Sequence, residues 1–394
     1  PRGWVEAFFE WCQASIEPLR AAAPLFHSLL HDGIIGGVGG VFAFVPMILV
    51  MFLWIAVLED TGYIARVAFI MDRPFRTFGL QGKSILALIV SGGLGGGGCA
   101  VPGVLATRTL SEERDRLVTM LVAPLMNCGA KIPVYMMLIA AFFAEHKART
   151  MFLLWALSWA AALVAAWCLR RFVIRGDQTP FVMELPAYHM PTARGVLLHT
   201  WERTWMYVRK AGTLILSVNL LLWAAMYFPR IDEQALRAEL LKSRPDLTES
   251  QIRSELASAQ LARSLAGRIG TALAPISRLA GFDWRTNIAL IGGLAAKEVV
   301  VGTLGTAYAM GEIDPTQSAT LSEHLGKDPT WHPVRAVALL VFVTIYAPCL
   351  ATVVVIRRES GAWRWALFAM GYTTLLAFVA AVAVYQIGCA LGFN

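Results

Sequence analysis

The stretch GGLGGGGCAVPG, Gly92 to Gly103, lies inside a run from Ser84 to Thr107 that contains no Asp, Glu, Lys or Arg. About 20 apolar residues cross a bilayer as a helix, so the run is long enough to span. Yet the quoted stretch holds seven glycines, one proline and one cysteine. Glycine lets the backbone leave helical geometry and proline deletes a donor, so together they interrupt the helix that the flanking residues favour. Unwound backbone at membrane depth is tolerated only where it is buried in protein or lines a cavity. The stretch therefore predicts a broken, path-lining segment, with the Cys99 thiol placed at the break.

Similar runs recur along the chain. Gly33–Leu58, Met151–Leu169, Ala211–Pro229, Ala336–Ile356 and Trp365–Asn394 carry no charged residue, while Leu117–Ala144 is interrupted by Lys131, and Thr286–Gly311 by Lys297 and Glu298. Only 15% of the 394 residues are charged, against about 25% in a soluble domain. The expected fold is all-α: a polytopic helical membrane protein. The net charge of +7 reads as the excess of Lys and Arg in cytoplasmic loops, not as a nucleic-acid surface. The six cysteines form no CxxC pair and no zinc spacing, which argues against a disulfide framework or a structural metal. The first residue is Pro1 and no signal-like segment follows, which reads as a piece of a longer protein.

The chain repeats itself. Gly92-Gly93-Leu94 returns as Gly292-Gly293-Leu294, and the Ala-Pro of VAPLMNC from Val122 returns in YAPCLAT from Tyr346. Internal repeats with Gly- or Pro-interrupted spans mark the binding site of a transporter. The expected division is an interfacial segment at 1–32, a first repeat at 33–169, a basic cytoplasmic linker at 170–210 and a second repeat at 211–394. An extramembrane helical insert is expected at 230–285, and an external loop from Glu312 to Pro333. These two loop assignments disagree with a simple count of crossings, and re-entrant segments would remove the conflict.

Four breaks are expected, at Gly92–Gly103, Pro124–Pro133, Gly292–Gly305 and Pro348. Their backbone is shaped by Gly97, Gly98, Pro102, Pro124, Gly129, Gly292, Gly293 and Pro348. Three of them hold or adjoin a thiol: Cys99, Cys128 and Cys349. Thiols together with freed carbonyls suit a borderline or soft divalent cation. The competing reading is that a buried cysteine is merely a small packing residue, and it is preferred for Cys12, Cys168 and Cys389. Met126 could lend a thioether, with packing as its alternative. Intramembrane charges are costly and point to function. Glu298 reads as an acidic ligand or gate and Lys297 as a tether for a helix end, against a plain interfacial role for both. Lys131 is expected to snorkel. Glu59 and Asp60 could form an entry vestibule for cations or be ordinary helix-end charges. GLQGKS at Gly79–Ser84 fails as a P-loop, because Thr77 replaces the first glycine, and the seven histidines form no ligand motif.

DGIIGGVGGVFAFVP, LEDTGYIARVAFIMDR, GCAVPGVLATRTLSEERDR, APLMNCGAKIPVY, PFVMELPAY, AGFDWRTNIALIGGLAAKEVVV and YAPCLATVVVIRRE occur in this order between Asp32 and Ile387. Together they closely resemble the membrane domain of the FeoB family of prokaryotic ferrous iron transporters. The resemblance implies two Gate-type repeats and Fe(II) uptake through the cytoplasmic membrane of a bacterium or archaeon. It implies an iron path along Cys99, Cys128 and Cys349, with acids at Glu59 and Glu298. It further implies an N-terminal G domain, not visible in this sequence, through which alone GTP and Mg2+ would act. Small cytosolic accessory proteins and an assembly of several copies are the other implied partners. The glycine run is longer than the family's usual form, and NCGAK replaces the commoner SCGAR, which would alter the width or field of the path.

The expected activity is Fe(II) transport, without enzymatic activity of this chain and without a stably bound cofactor. An ion must bind well enough to shed water yet leave again, so a closed cage of thiolates would defeat conduction. Two rivals remain: a Gate-fold carrier of nucleosides or other solutes, with aromatic and amide groups at the breaks, and a metal sensor that binds without conducting.

Overall fold

A helix that is apolar all round is either buried within protein or faces lipid. The computed structural model describes residues 2–16, 24–92, 98–174, 188–229, 237, 252, 256, 259–295, 297, 299–308, 318–328 and 330–392. Among them the regular elements are helices: α1 (Arg2–Ile16), α2 (Pro24–Ser28), α3 (Gly36–Asp60), α4 (Tyr63–Thr77), α5 (Ser84–Gly92), α6 (Ala100–Ala106), α7 (Glu113–Val122), α8 (Ile132–Phe142) and α9 (Lys147–Cys168). They continue with α10 (Ala193–Tyr227), α11 (Leu265–Ser277), α12 (Trp284–Ala295), α13 (Val299–Ala307), α14 (Ser318–Lys327), α15 (Pro333–Ile345), α16 (Leu350–Ser360) and α17 (Trp363–Ala390). The all-α expectation holds.

Three stretches of the described chain are long and apolar enough to cross a membrane: Ala144–Val173, Pro333–Ser360 and Trp363–Ala390. They divide by environment. The most apolar window of Pro333–Ser360 is 78% buried within the protein, against 33% and 22% for the other two. The buried one contains the interruption at Tyr346–Cys349, between α15 and α16. That is the distribution a bilayer demands, because freed backbone groups must be kept from lipid. The other two present exposed Phe152, Val164 and Trp167 on α9 and Leu367, Leu375 and Val379 on α17, a surface that only hydrocarbon solvates well.

The chain falls into two compact units, residues 1–129, 155–217 and 350–373 in the first, and 130–154, 218–349 and 374–394 in the second. These units are not the two sequence halves. The crossings at 129/130 and 349/350 both fall just after an Ala-Pro break, so each half passes the segment that follows its break to the other unit.

In the first unit α5 packs on α6, and α6 on α16. The α5–α6 contact is close because position 103 has no side chain: a Cβ there would overlap Ser91 Oγ and crowd the Ala87 carbonyl. Ser84 and Thr119 hydroxyls share a buried hydrogen bond of 2.8 Å, which joins α5 to α7. Glu359, at the end of α16, accepts from Arg108 Nε at 2.9 Å and from Arg116 Nη2 at 2.5 Å. Two cations on one carboxylate fix the end of α16.

In the second unit α12 packs against α11 and α13, and α8 against α14 and α15. Asp283, in the turn before α12, accepts from the Thr286 backbone and hydroxyl at 2.9 and 2.7 Å and pairs with Arg335 at 3.0 Å. Arg335 also donates to the Thr330 carbonyl at 3.0 Å and lies over the Trp331 ring. Tyr308 accepts from Trp331 Nε1 at 2.6 Å.

Several boundaries differ from the sequence reading. The basic stretch 170–210 is not one linker, since α10 runs unbroken from Ala193 through position 210 to Tyr227. Ala, Leu, Arg and Trp there are compatible with helix, and charge alone does not end one. The stretch 312–333 is not all loop, because α14 occupies Ser318–Lys327 and packs on α8. The first break is shorter than expected, with α6 beginning at Ala100, and Pro102 sits in its first turn where no donor is needed. In the second repeat α12 continues through Gly292 and Gly293 to Ala295, and α13 resumes at Val299. Of the insert at 230–285 the described part is chiefly α11, and most of residues 230–258 lies outside the described residues.

Two outcomes follow from this packing. Gly103→Val should cost about 1–3 kcal/mol, the usual scale of overpacking. Gly371→Ala, where a Cβ meets nothing within 4 Å, should leave stability equal or higher; thermal unfolding in detergent compares the two. Asp283 lies outside the spanning stretches. Burial pushes its carboxyl up, but Arg335 and the Thr286 hydrogen bonds outweigh that and hold it below the usual carboxylate value. A depressed folded pKa means the contribution is complete above the unfolded value, about 4, and is lost as pH falls through the folded one. The stability gap between wild type and Asp283→Asn, followed from pH 7 to pH 3, should therefore close on acidification.

Candidate metal path

The first break is built from two unwound segments of the first unit. α5 ends at Gly92; residues 93–97, Gly97 among them, lie outside the described residues. From Gly98 the chain runs beside the segment around Cys128: Gly98 and Cys128 form a parallel backbone bridge, and the Gly129 N–H donates to the Gly98 carbonyl at 3.0 Å. Cys99 is extended, donates its N–H to the Val90 carbonyl at 3.0 Å, and immediately precedes α6. The two thiol-bearing segments are thus held side by side by main-chain bonds.

Local sequence makes this pairing feasible. Pro124 ends α7 through a 3-10 turn at Ala123–Leu125, after which Met126 turns extended. Gly92 meets that segment closely, since a Cβ on it would overlap the Asn127 carbonyl. Met126 is 1% exposed and sits within the core. Cys99 and Cys128 are both half-buried thiols, as are the other four cysteines.

The breaks of the second unit converge on the end of α15. That helix stops at Ile345 and is followed by Tyr346, Ala347, Pro348 and Cys349 before α16 begins. Pro348 is buried and Cys349 half-buried. Lys297, in the gap between α12 and α13, donates to the Ala347 carbonyl at 2.6 Å, and its Nζ lies 3.0 Å from the centre of the Tyr346 ring. This is the helix-end tether expected of it. Glu298 lies outside the described residues.

Lys131 corrects the sequence reading. It does not snorkel: it is 1% exposed, and its Nζ donates to the Thr344 carbonyl at 2.7 Å. Acceptors released by the end of α15 serve the ammonium better than a long reach to the interface. Tyr135, one turn along α8, shares a 3.1 Å hydrogen bond with the Thr344 hydroxyl. Lys131 and Thr344 are 213 residues apart, so no local pattern could have linked them.

Glu59, at the end of α3, is 41% exposed and accepts from Arg203 of α10 at 2.8 Å. Among the described residues, no group of three or more His, Cys, Asp and Glu side chains forms a cluster able to hold a metal ion.

Apolar helices with exposed hydrocarbon faces, paired breaks and an internal repeat define a helical membrane protein of transporter build. The family profile described as "Nucleoside recognition", the Gate family, matches residues 41–142 and 208–363. The profile described as "Ferrous iron transport protein B C terminus" matches residues 151–203. The chain belongs to the Gate-containing FeoB family. It is 40% identical, over 98% of its length, to an Fe(2+) transport protein A/Fe(2+) transporter FeoB fusion protein of Porphyromonas gingivalis, and covers 47% of that protein. The Fe(2+) transporter FeoB of Leptospira interrogans is 36% identical over 98% of this chain, with 54% of the relative covered. That of Methanocaldococcus jannaschii is 38% identical over 92%, with 50% covered. The chain thus spans about half the length of these relatives. No solved structure matches it significantly.

Proposed function

We propose that this chain forms the conducting part of an Fe(II) transporter in the cytoplasmic membrane of a bacterium or archaeon. The observation that carries the reading is the Gly98–Cys128 bridge, which aligns two unwound, thiol-bearing segments inside the first unit. Cys99 and Cys128 act there as transient ligands of a partly dehydrated Fe(II). Cys349 offers the same donor at the equivalent break of the second repeat. A borderline cation suits thiol and carbonyl donors together, and few ligands per stage favour release. Glu298 would add an acid to the path. Glu59, paired with Arg203, would act as an attractor only when that ion pair opens.

The relatives' names and the FeoB profile support iron as the cargo. Their additional length gives room for a G domain that would couple GTP and Mg2+ to transport, and the fusion to transport protein A supports a small protein as partner. The Gate description keeps a nucleoside carrier as the second reading.

The test is uptake into anaerobic proteoliposomes of the full-length protein, loaded with an Fe(II)-sensitive dye. Cys99→Ser or Cys128→Ser should slow uptake by at least about tenfold, the scale on which even indirect partners alter a metal's affinity, while folding persists. Equal uptake by wild type and all three cysteine variants, Cys349→Ser included, would reduce the thiols to packing residues. Binding of Fe(II) without flux would favour a sensor, and flux of nucleosides alone would favour the carrier.

A further inference from the structure

Two buried ammonium groups meet the same broken helix end. Lys131 is 1% exposed and Lys297 3%. Their carbonyl partners, Thr344 and Ala347, stand three residues apart at the end of α15, at 2.7 and 2.6 Å. The lysines reach this point from different breaks, one just before α8 and the other between α12 and α13. Both lysines belong to the second unit, as does the end of α15.

The end of a helix is where cations bind well. The last carbonyls point outward without helical partners, and the summed peptide dipoles leave about half a negative charge there. Pro348 brings no N–H of its own, so the Thr344 carbonyl one turn back has no helical donor and accepts from Lys131 instead. Tyr346 adds the face of its ring under Lys297, a further attraction for a cation. The Cys349 thiol follows directly in sequence. This is a set of oxygen, π and sulfur donors suited to a cation, and the protein's own ammonium groups occupy it.

A buried charge is expensive, and a lysine retained at membrane depth usually does more than fill space. A neutral amide or hydroxyl would satisfy a carbonyl without that cost.

We propose that Lys131 and Lys297 are tethered cations that fill the carbonyl end of α15, and that a divalent metal ion binds this broken helix end only by displacing them. The proposal rests on the metal-path reading above and deepens it. The lysines keep the end of α15 charge-compensated while the path is empty, and they hold the ion's affinity down so that it can leave. Direct contact with the lysines would repel the cargo, so displacement has to move each ammonium off its carbonyl.

The test measures anaerobic Fe(II) binding to the full-length protein in detergent by equilibrium dialysis, for wild type, Lys131→Gln and Lys297→Gln. Glutamine can still donate to the carbonyl but carries no charge, so a plain structural staple would survive the exchange. Removing a unit charge beside the ion should tighten Fe(II) binding by about tenfold or more, and the tighter variants should release it more slowly. A second measurement needs no variant. In wild type, reductive methylation of Lys131 and Lys297, read by mass spectrometry, should rise when Fe(II) or Mn(II) is added and should stay unchanged with Mg(II). Folded glutamine variants that bind Fe(II) as wild type does would overturn the proposal, and so would lysine labelling that ignores bound metal. Absence of Fe(II) binding to every form, wild type included, would overturn the metal-path reading itself and this proposal with it.

Discussion

A carbonyl released from a broken helix inside a bilayer has no water to accept from, and each one left unsatisfied costs several kcal/mol. This constraint organises the described core. At the first break the answer is backbone: the Gly129 N–H reaches the Gly98 carbonyl, and the Cys99 N–H reaches that of Val90. Near the end of α7 it is a hydroxyl, with Tyr372 donating to the Leu121 carbonyl at 2.6 Å. At the end of α15 it is a pair of ammonium groups. Neutral donors suffice at the first two places, and charge is used only at the third.

The breaks are held by charged clamps placed away from them. Glu359 gathers Arg108 and Arg116 in the first unit, and Asp283 and Arg335 tie the start of α12 to the start of α15 in the second. Arg335 is itself nearly buried, so breaking its pair would leave an uncompensated charge, which costs far more than a surface ion pair contributes. Such clamps fix the outer ends of half-helices, and the interrupted ends are then free to be shaped by glycine and proline.

The sequence made the breaks legible because glycine and proline act locally, through the backbone of their own residue. The membrane class was legible for an equally simple reason: charge-free runs of spanning length have few other uses. Break boundaries were less legible. Gly292 and Gly293 read as an unwound segment but are helical, since glycine permits a bend without enforcing one. The basic run from Arg170 to Lys210 suggested a loop, yet its second half continues into α10, because charge describes exposure better than backbone geometry. The role of Lys131 was out of reach, as its partner lies in another repeat and only the folded chain brings the two together. The Gly98–Cys128 pairing was half legible: two cysteines at two breaks suggested a common place, while the main-chain bonds that create it leave no trace in side-chain identity.

The exchange of segments between the two units sets an order on biosynthesis. Residues 350–373 complete the first unit, so it stays open until they have left the ribosome. Until then α6 lacks α16, the helix it packs against, and the polar backbone of the first break stands in the membrane without its full cover. Native contacts of such long sequence separation form late and slowly. A chain that stops before residue 350 therefore lacks part of the first unit, α16 included.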